Sequence, residues 1–316
     1  SNSRTSMLSL VTVFPPSPCF CLLVRMARWP LILLGHLFSY TTSWDSTQLP
    51  KEHASVLTKT AGPNNAARFA RFIGMLAKVE TDVVDCFERG GGVDYSAYSD
   101  FMGLWSEVVE EIHGSQLIEK VVPLMPDIQE ALTRGINVLD VGCGDGTVVN
   151  LLADAFPKSH FAGWDILEGP IERAKNKSTS LGFNNTQFAA RDVLQSDGEG
   201  LFDFVTAFDC IHDMVQPHLT LSAIRRLLKT EGTFLMVDIA ASSELQNNLN
   251  NPMAPWLYTS SCLHCMTVSL AQGGAGLGSM WGDEKAVELL EETEFRNIVV
   301  EKLDGAIFNN YFISTA

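Results

Sequence analysis

The spacing of apolar positions changes character along this chain. Between residues 51 and 90 they return every third or fourth position, at Phe69, Ile73 and Leu76, then at Val79, Val83 and Phe87. That spacing predicts amphipathic helices. Gly62-Pro63 punctuates the run, Asn64 is placed to cap the next helix, and Gly90-Gly91-Gly92 ends it. The segment "VDYSAYSDFMGLWSEVVEEIHGSQLIEKVVPLMPDIQEAL" predicts two further helices, with turns at Gly114 and Pro126. From Ile136 short apolar runs alternate with helical patterns. "NVLDVG", "HFAGWDI", "TQFAARDV", "FDFVTAFDCIHD" and "TFLMVDIA" read as strands; "GTVVNLLADAF", "GPIERAKNKSTSLG" and "HLTLSAIRRLLKTEG" read as helices. A Gly/Asn/Met-rich insert, 242–280, interrupts the rhythm before a last helix, "DEKAVELLEETEF", and two closing strands, "RNIVVEKLD" and "NNYFISTA". The expected fold is α/β: a seven-stranded, mostly parallel sheet with helices on both faces and the last strand antiparallel.

Three regions follow: 1–48, apolar and divergent; 49–130, a helical segment suited to a lid or to dimerisation, which would permit a homodimer; and 131–316, the α/β domain. Region 1–48 is broken by Pro15, Pro16, Pro18, Arg25, Arg28 and Pro30. It lacks the roughly 18 uninterrupted apolar residues of a spanning helix, so no membrane span is expected. Read from Met26, "MARWPLILLGHLFSY" has the make-up of a short signal peptide.

The densest chemistry sits between Ile136 and Ile166. A strand runs into Gly142-x-Gly144-x-Gly146, where glycines let a ligand approach the backbone. A dinucleotide fingerprint would need its third glycine at position 147, which is Thr147, and this disfavours a nicotinamide dehydrogenase. Asp140 and Asp145 put carboxylates around the turn, which suits an ammonium or sulfonium better than a phosphate. Asp140 has a second reading, as an acceptor of backbone N–H groups that holds the loop. Asp165 ends the second strand, where an acid takes ribose hydroxyls. Asp192 follows the third strand and could take an adenine amino group, and "AFDCIHD" ends the fourth.

"VLDVGCGDG", "GWDI", "RDV" and "FDCIHD" in this order resemble the class I S-adenosylmethionine-dependent methyltransferases, with their Rossmann-like sheet. "GGGVDYSAY", "LPKEHA", "DIAASSELQNN" and "YTSSCLHCMTVSLAQGGAGLGSMWG" are similar to a bacterial and invertebrate subgroup that carries an N-terminal winged helix. No helix-turn-helix is recognisable upstream of "LPKEHA" here. The resemblance implies S-adenosyl-L-methionine as cofactor and a small or medium molecule as methyl acceptor. It implies cofactor contacts from Asp140, Gly142, Gly144, Asp165, Ile166, Asp192, Val193, Asp209 and Tyr95, the last as an aromatic lid over a sulfonium. His212, beyond the fourth strand, is the candidate catalytic base, or else a residue that orients the loop or packs on adenine. The alternative function is a non-catalytic sensor that binds the same cofactor.

Composition narrows the partners. A formal net charge of -15 and a pI near 4.8, without a Lys/Arg cluster, exclude nucleic acid as the expected partner. Seven scattered cysteines suggest thiols in a reducing, cytoplasmic setting. Cys262-Leu263-His264-Cys265 is half of a zinc ligand set, so no metal is expected there.

Overall fold

The computed structural model describes residues 49–316 apart from 59, 62–64, 66, 100, 115 and 305–307. The segment at 1–48 with its signal-like pattern, and the Asn64 cap, lie outside the described residues. The chain divides into two compact units, Ser1–His53 and Ala54–Ala316, and the whole sheet belongs to the second.

Five helices precede the sheet: α1 (Lys51–Leu57), α2 (Ala67–Leu76), α3 (Glu80–Arg89), α4 (Phe101–His113) and α5 (Pro126–Arg134). A π-helical turn at Leu117–Val121 separates α4 from α5. The buried stripe is rotated from the one the spacing suggests. Phe72, Met75, Leu76, Val79 and Val83 are buried, while Ile73 and Phe87 are exposed. The α2–α3 run also breaks at residues 77–79, so the second helix follows a new axis.

The sheet strands are β1 (Asn137–Val141), β2 (His160–Asp165), β3 (Thr186–Ala190), β4 (Phe202–Phe208), β5 (Leu228–Ile239), β6 (Arg296–Glu301) and β7 (Asn309–Thr315). Their order is β3-β2-β1-β4-β5-β7-β6. Strands β1 to β5 pair in parallel, and β7 runs antiparallel to both β5 and β6, as expected. Crossover helices are α6 (Thr147–Ala155), α7 (Glu168–Leu181), α8 (Pro217–Leu227) and α11 (Gly282–Glu292). The insert supplies α9 (Ala254–Ser260) and α10 (Met266–Ala271).

Neighbouring strand residues feed opposite faces, because side chains alternate along a strand. Leu235 and Val237 pack with Val148 and Leu152 of α6 and Ile171 of α7. Phe234 and Met236 pack with Leu221 and Ile224 of α8 and Leu289 and Leu290 of α11. A third apolar cluster joins Phe72, Val83 and Val108 of the leading helices to Leu263 and Val268 of the insert.

One boundary departs from the sequence reading. The helical pattern of "HLTLSAIRRLLKTEG" continues to Gly232, yet α8 stops at Leu227. Leu228 pairs with Phe202, and the register then jumps, so that Phe204 meets Thr233. The slack is taken up by Glu231 at φ 63°. Strand pairing outweighs local helix preference at these positions.

Candidate active site

The turn after β1 places three consecutive odd-numbered residues, Gly142, Gly144 and Gly146, at positive φ. A Cβ on Gly142 would lie 2.8 Å from Cys210 Sγ, so conformation and space both demand glycine. The turn is held by Asp165: its Oδ2 accepts from Gly144 N at 2.9 Å and its Oδ1 from Leu167 N at 2.9 Å. Burial raises the Asp165 pKa, and those two bonds partly offset the rise.

The two acids read as flanking a cationic ligand point elsewhere. Asp145 forms a forked ion pair with Arg173. Asp140 is 3 % exposed, accepts from Thr206 Oγ1 at 2.7 Å, and does not line the cavity. Burial pushes its pKa to about 7. Of its two readings, holding the turn from beneath fits these contacts. Gly144 also stays off the cavity wall, behind Met102.

A cavity of about 270 Å³ runs along the carboxyl ends of the strands. One end is walled by Gly142, Asp165, Ile166, Asp192 and Val193, with Arg191 stacked 4.5 Å over Trp164. Asp192 lies two residues past β3, and its Oδ1 caps a short turn by accepting from Leu194 N at 2.9 Å. Asp209 lines the cavity at φ 48°, and its Oδ1 accepts from Asn309 Nδ2 at 2.6 Å. Its other oxygen lies 4.0 Å from His113 Nε2, beyond hydrogen-bond reach. Burial raises its pKa.

His212 stands between two carboxylates. Its Nδ1 lies 2.7 Å from Asp238 Oδ1 and its Nε2 lies 3.0 Å from Asp213 Oδ1. Burial opposes the charged ring, yet Asp238 and Asp213 outweigh it and hold the pKa well above the ordinary histidine range. His212 in turn outweighs burial at Asp213 and lowers that pKa. Tyr95 Oη donates to Asp213 Oδ2 at 3.5 Å, so the expected aromatic lid residue does face the cavity.

The sequence reading underweighted His264. It is 1 % exposed, lines the cavity, and neither ring nitrogen has a hydrogen-bond partner. Burial pushes its pKa down to about 4, so the ring is neutral. It stacks on Phe101, with centroids 3.6 Å apart, and meets the edges of Tyr95 and Tyr98. Its position depends on a π-helical turn, Ser261–Cys265, between α9 and α10. Tyr98 Oη pins that turn by donating to Leu263 O at 2.5 Å. The two cysteines beside it diverge: Cys265 lines the cavity, while Cys262 packs against the leading helices. Cys265, His212 and Asp213 bring ligand-capable atoms within 4.8 Å of one another, a cluster that the Cys-x-x-Cys spacing does not predict.

The glycine-rich part of the insert is a packed wall. Gly278 N donates to His212 O at 3.2 Å and Ala275 N to Val215 O at 3.0 Å. Ser269 Oγ donates to Met214 O at 3.0 Å. The loop after β4 is thus sewn to the insert on three consecutive turns. Gly92 brings the other wall in: a Cβ there would overlap the Thr267 carbonyl and the Ala271 nitrogen of α10. Beside it, Val93 N donates to Thr267 Oγ1 at 2.7 Å.

No helix among the described residues is long and apolar enough to cross a membrane. Among known proteins, the chain is 28% identical over 141 residues to a malonyl-[acyl-carrier protein] O-methyltransferase of Priestia megaterium, covering 45% of each chain. It is 32% identical over 108 residues to juvenile hormone acid O-methyltransferase of Bombyx mori, covering 33% of this chain and 38% of that one. The matched stretches thus span less than half of these relatives. Similar solved folds include an O-methyltransferase family protein from Burkholderia thailandensis, with TM-score 0.62 and 12% identity over 91% of this chain and 83% of that one. Human N-acetylserotonin methyltransferase in complex with SAM gives 0.60 and 16% over 92% and 83%. The methyltransferase-domain family model matches residues 132–296, just over half of the sequence, and the chain therefore belongs to that family.

Proposed function

We propose that this protein transfers a methyl group from S-adenosylmethionine to an oxygen of a small or medium acceptor. The observation that carries this reading is one continuous cavity. It joins the strand-end acids Asp165, Asp192 and Asp209 to an aromatic compartment walled by Phe72, Phe101, Trp105 and Trp256. Two molecules can meet in such a space, and the names of the O-methyltransferase relatives support oxygen as the accepting atom.

The residues fit the donor. Each Asp165 oxygen accepts one backbone N–H and retains a lone pair for a ribose hydroxyl. Asp192 keeps an oxygen for an adenine amino group, beside Val193 and Ile166. The excess of carboxylates along the wall suits a cation. When bound, S-adenosylmethionine supplies an electrophilic methyl on its sulfonium. The protein's work is then to hold the acceptor oxygen in line, where proximity and alignment supply most of the rate. Tyr95 shields the junction of the two compartments. His212 takes the acceptor's proton on Nε2, while Asp238 fixes the ring through Nδ1. The ring must first lose the proton that its carboxylates favour.

S-adenosylhomocysteine should bind and raise the melting temperature. At 100-fold excess over Kd the gain is about 2.7 kcal/mol. NAD should give no such gain. Tight NAD binding with no binding of the sulfur nucleoside would reverse the reading.

A further inference from the structure

We propose that the aromatic compartment takes an uncharged, flat, apolar hydroxyl compound, anchored by a hydrogen bond to His264, and rejects carboxylates. This rests on the methyl-transfer reading above and adds the acceptor's chemical class. The first observation is the pair of unpartnered nitrogens on His264. Buried polar groups are nearly always hydrogen-bonded, and one left unmet is costly. Here the ring faces a cavity, so a ligand can supply the missing partner. Burial keeps the ring neutral, so it offers one N–H donor and one acceptor nitrogen. A hydroxyl can use either.

The second observation is the wall. Phe101 and Trp105 stack with rings 13° from parallel, and Phe72 meets both edge-on. Trp256 closes the other side against Phe72 and Phe69. Such surfaces gain most from a planar apolar body. The third is charge. Asp165, Asp192, Asp209 and Asp213 line the cavity. Against them stand Arg191, committed to the Trp164 face, and His212, balanced by Asp213 and Asp238. A carboxylate beside Asp213 meets repulsion with no unspent cation to offset it.

The test uses protein saturated with S-adenosylhomocysteine and two probes of one shape, 2-naphthol and 2-naphthoate, in calorimetric titrations. The neutral probe should bind at least about tenfold more tightly than the anion. His264→Phe preserves the ring stack with Phe101 and removes both nitrogens. It should weaken 2-naphthol binding by about fivefold or more, with S-adenosylhomocysteine affinity unchanged. A ring of merely structural importance would lower both affinities together. Equal or tighter binding of 2-naphthoate, no binding of 2-naphthol, or a His264→Phe affinity equal to wild type overturns the proposal. Failure of S-adenosylhomocysteine to bind strikes the methyl-transfer reading instead, since the two naphthalene titrations can be run without it.

Discussion

Asp165 carries two duties, and replacing it should reveal both. In Asp165→Asn the side chain keeps its shape but has one oxygen where there were two. That oxygen can still serve Gly144 N or Leu167 N, now both at 2.9 Å from a carboxylate, but the other N–H will face an amide N–H. A hydrogen bond to a charged acceptor is worth about 1.5–3 kcal/mol, so stability should fall by that amount. Asp165→Ala removes both and should cost roughly 3–6 kcal/mol, a large part of the roughly 5–15 kcal/mol that holds a domain folded. The ribose contact adds a separate loss. Unpaired ribose hydroxyls should weaken S-adenosylhomocysteine binding by about 1–3 kcal/mol, or roughly 5-fold to 150-fold. Urea denaturation of the ligand-free variants and calorimetric titration of the same samples separate the two duties. Mildly alkaline buffer keeps the carboxylate of the wild type ionised despite its raised pKa. If Asp165→Asn loses stability but binds the nucleoside normally, the carboxylate only holds the turn. If neither quantity moves, the reasoning from both hydrogen bonds is wrong.

Gly92→Ala should cost about 1–3 kcal/mol, because the added methyl must push the leading segment off α10. A melting temperature equal to wild type would show that the two walls are not in close contact. The raised His212 pKa makes the ring a cation below its folded value, so turnover should rise as pH climbs past the ordinary histidine range. Asp238→Asn should move that rise to lower pH, and a profile that stays in place would dismiss Asp238 as the ring's partner. Linkage has the opposite sense for stability: the charged ring's contribution is complete below the unfolded histidine pKa, near 6.5, and fades as pH rises through the raised one.

The strand ends were readable because sheet residues alternate and an acid at the end of an apolar run has few structural uses. Asp165, Asp192 and Asp209 all reach the cavity as that logic expects. The reversed last strand was legible from its short connection to β6. Asp145 was not, since its partner Arg173 lies 28 residues on, across a crossover helix. His264 was hidden more thoroughly. Its flanking cysteines suggested half a metal site, whereas its meaning comes from Phe101 and Tyr95, more than 150 residues away in sequence. The π turn that aims it has no periodic signature, because it is one extra residue in a helix.

The three backbone and hydroxyl bonds that sew the loop after β4 to the insert bear on how this pocket can diversify. Gly278 and Ser269 belong to the wall beside the aromatic compartment, yet their partners are the carbonyls of His212 and Met214. A substitution that reshapes the wall will also tug on the histidine's own peptide. Changes at the two places should therefore be strongly epistatic, with coupling energies in the range of about 0.5–3 kcal/mol seen for residues sharing one network. Variants selected for a new acceptor should carry paired changes, one in 261–280 and one in 210–216, and single changes from such pairs should fare poorly alone.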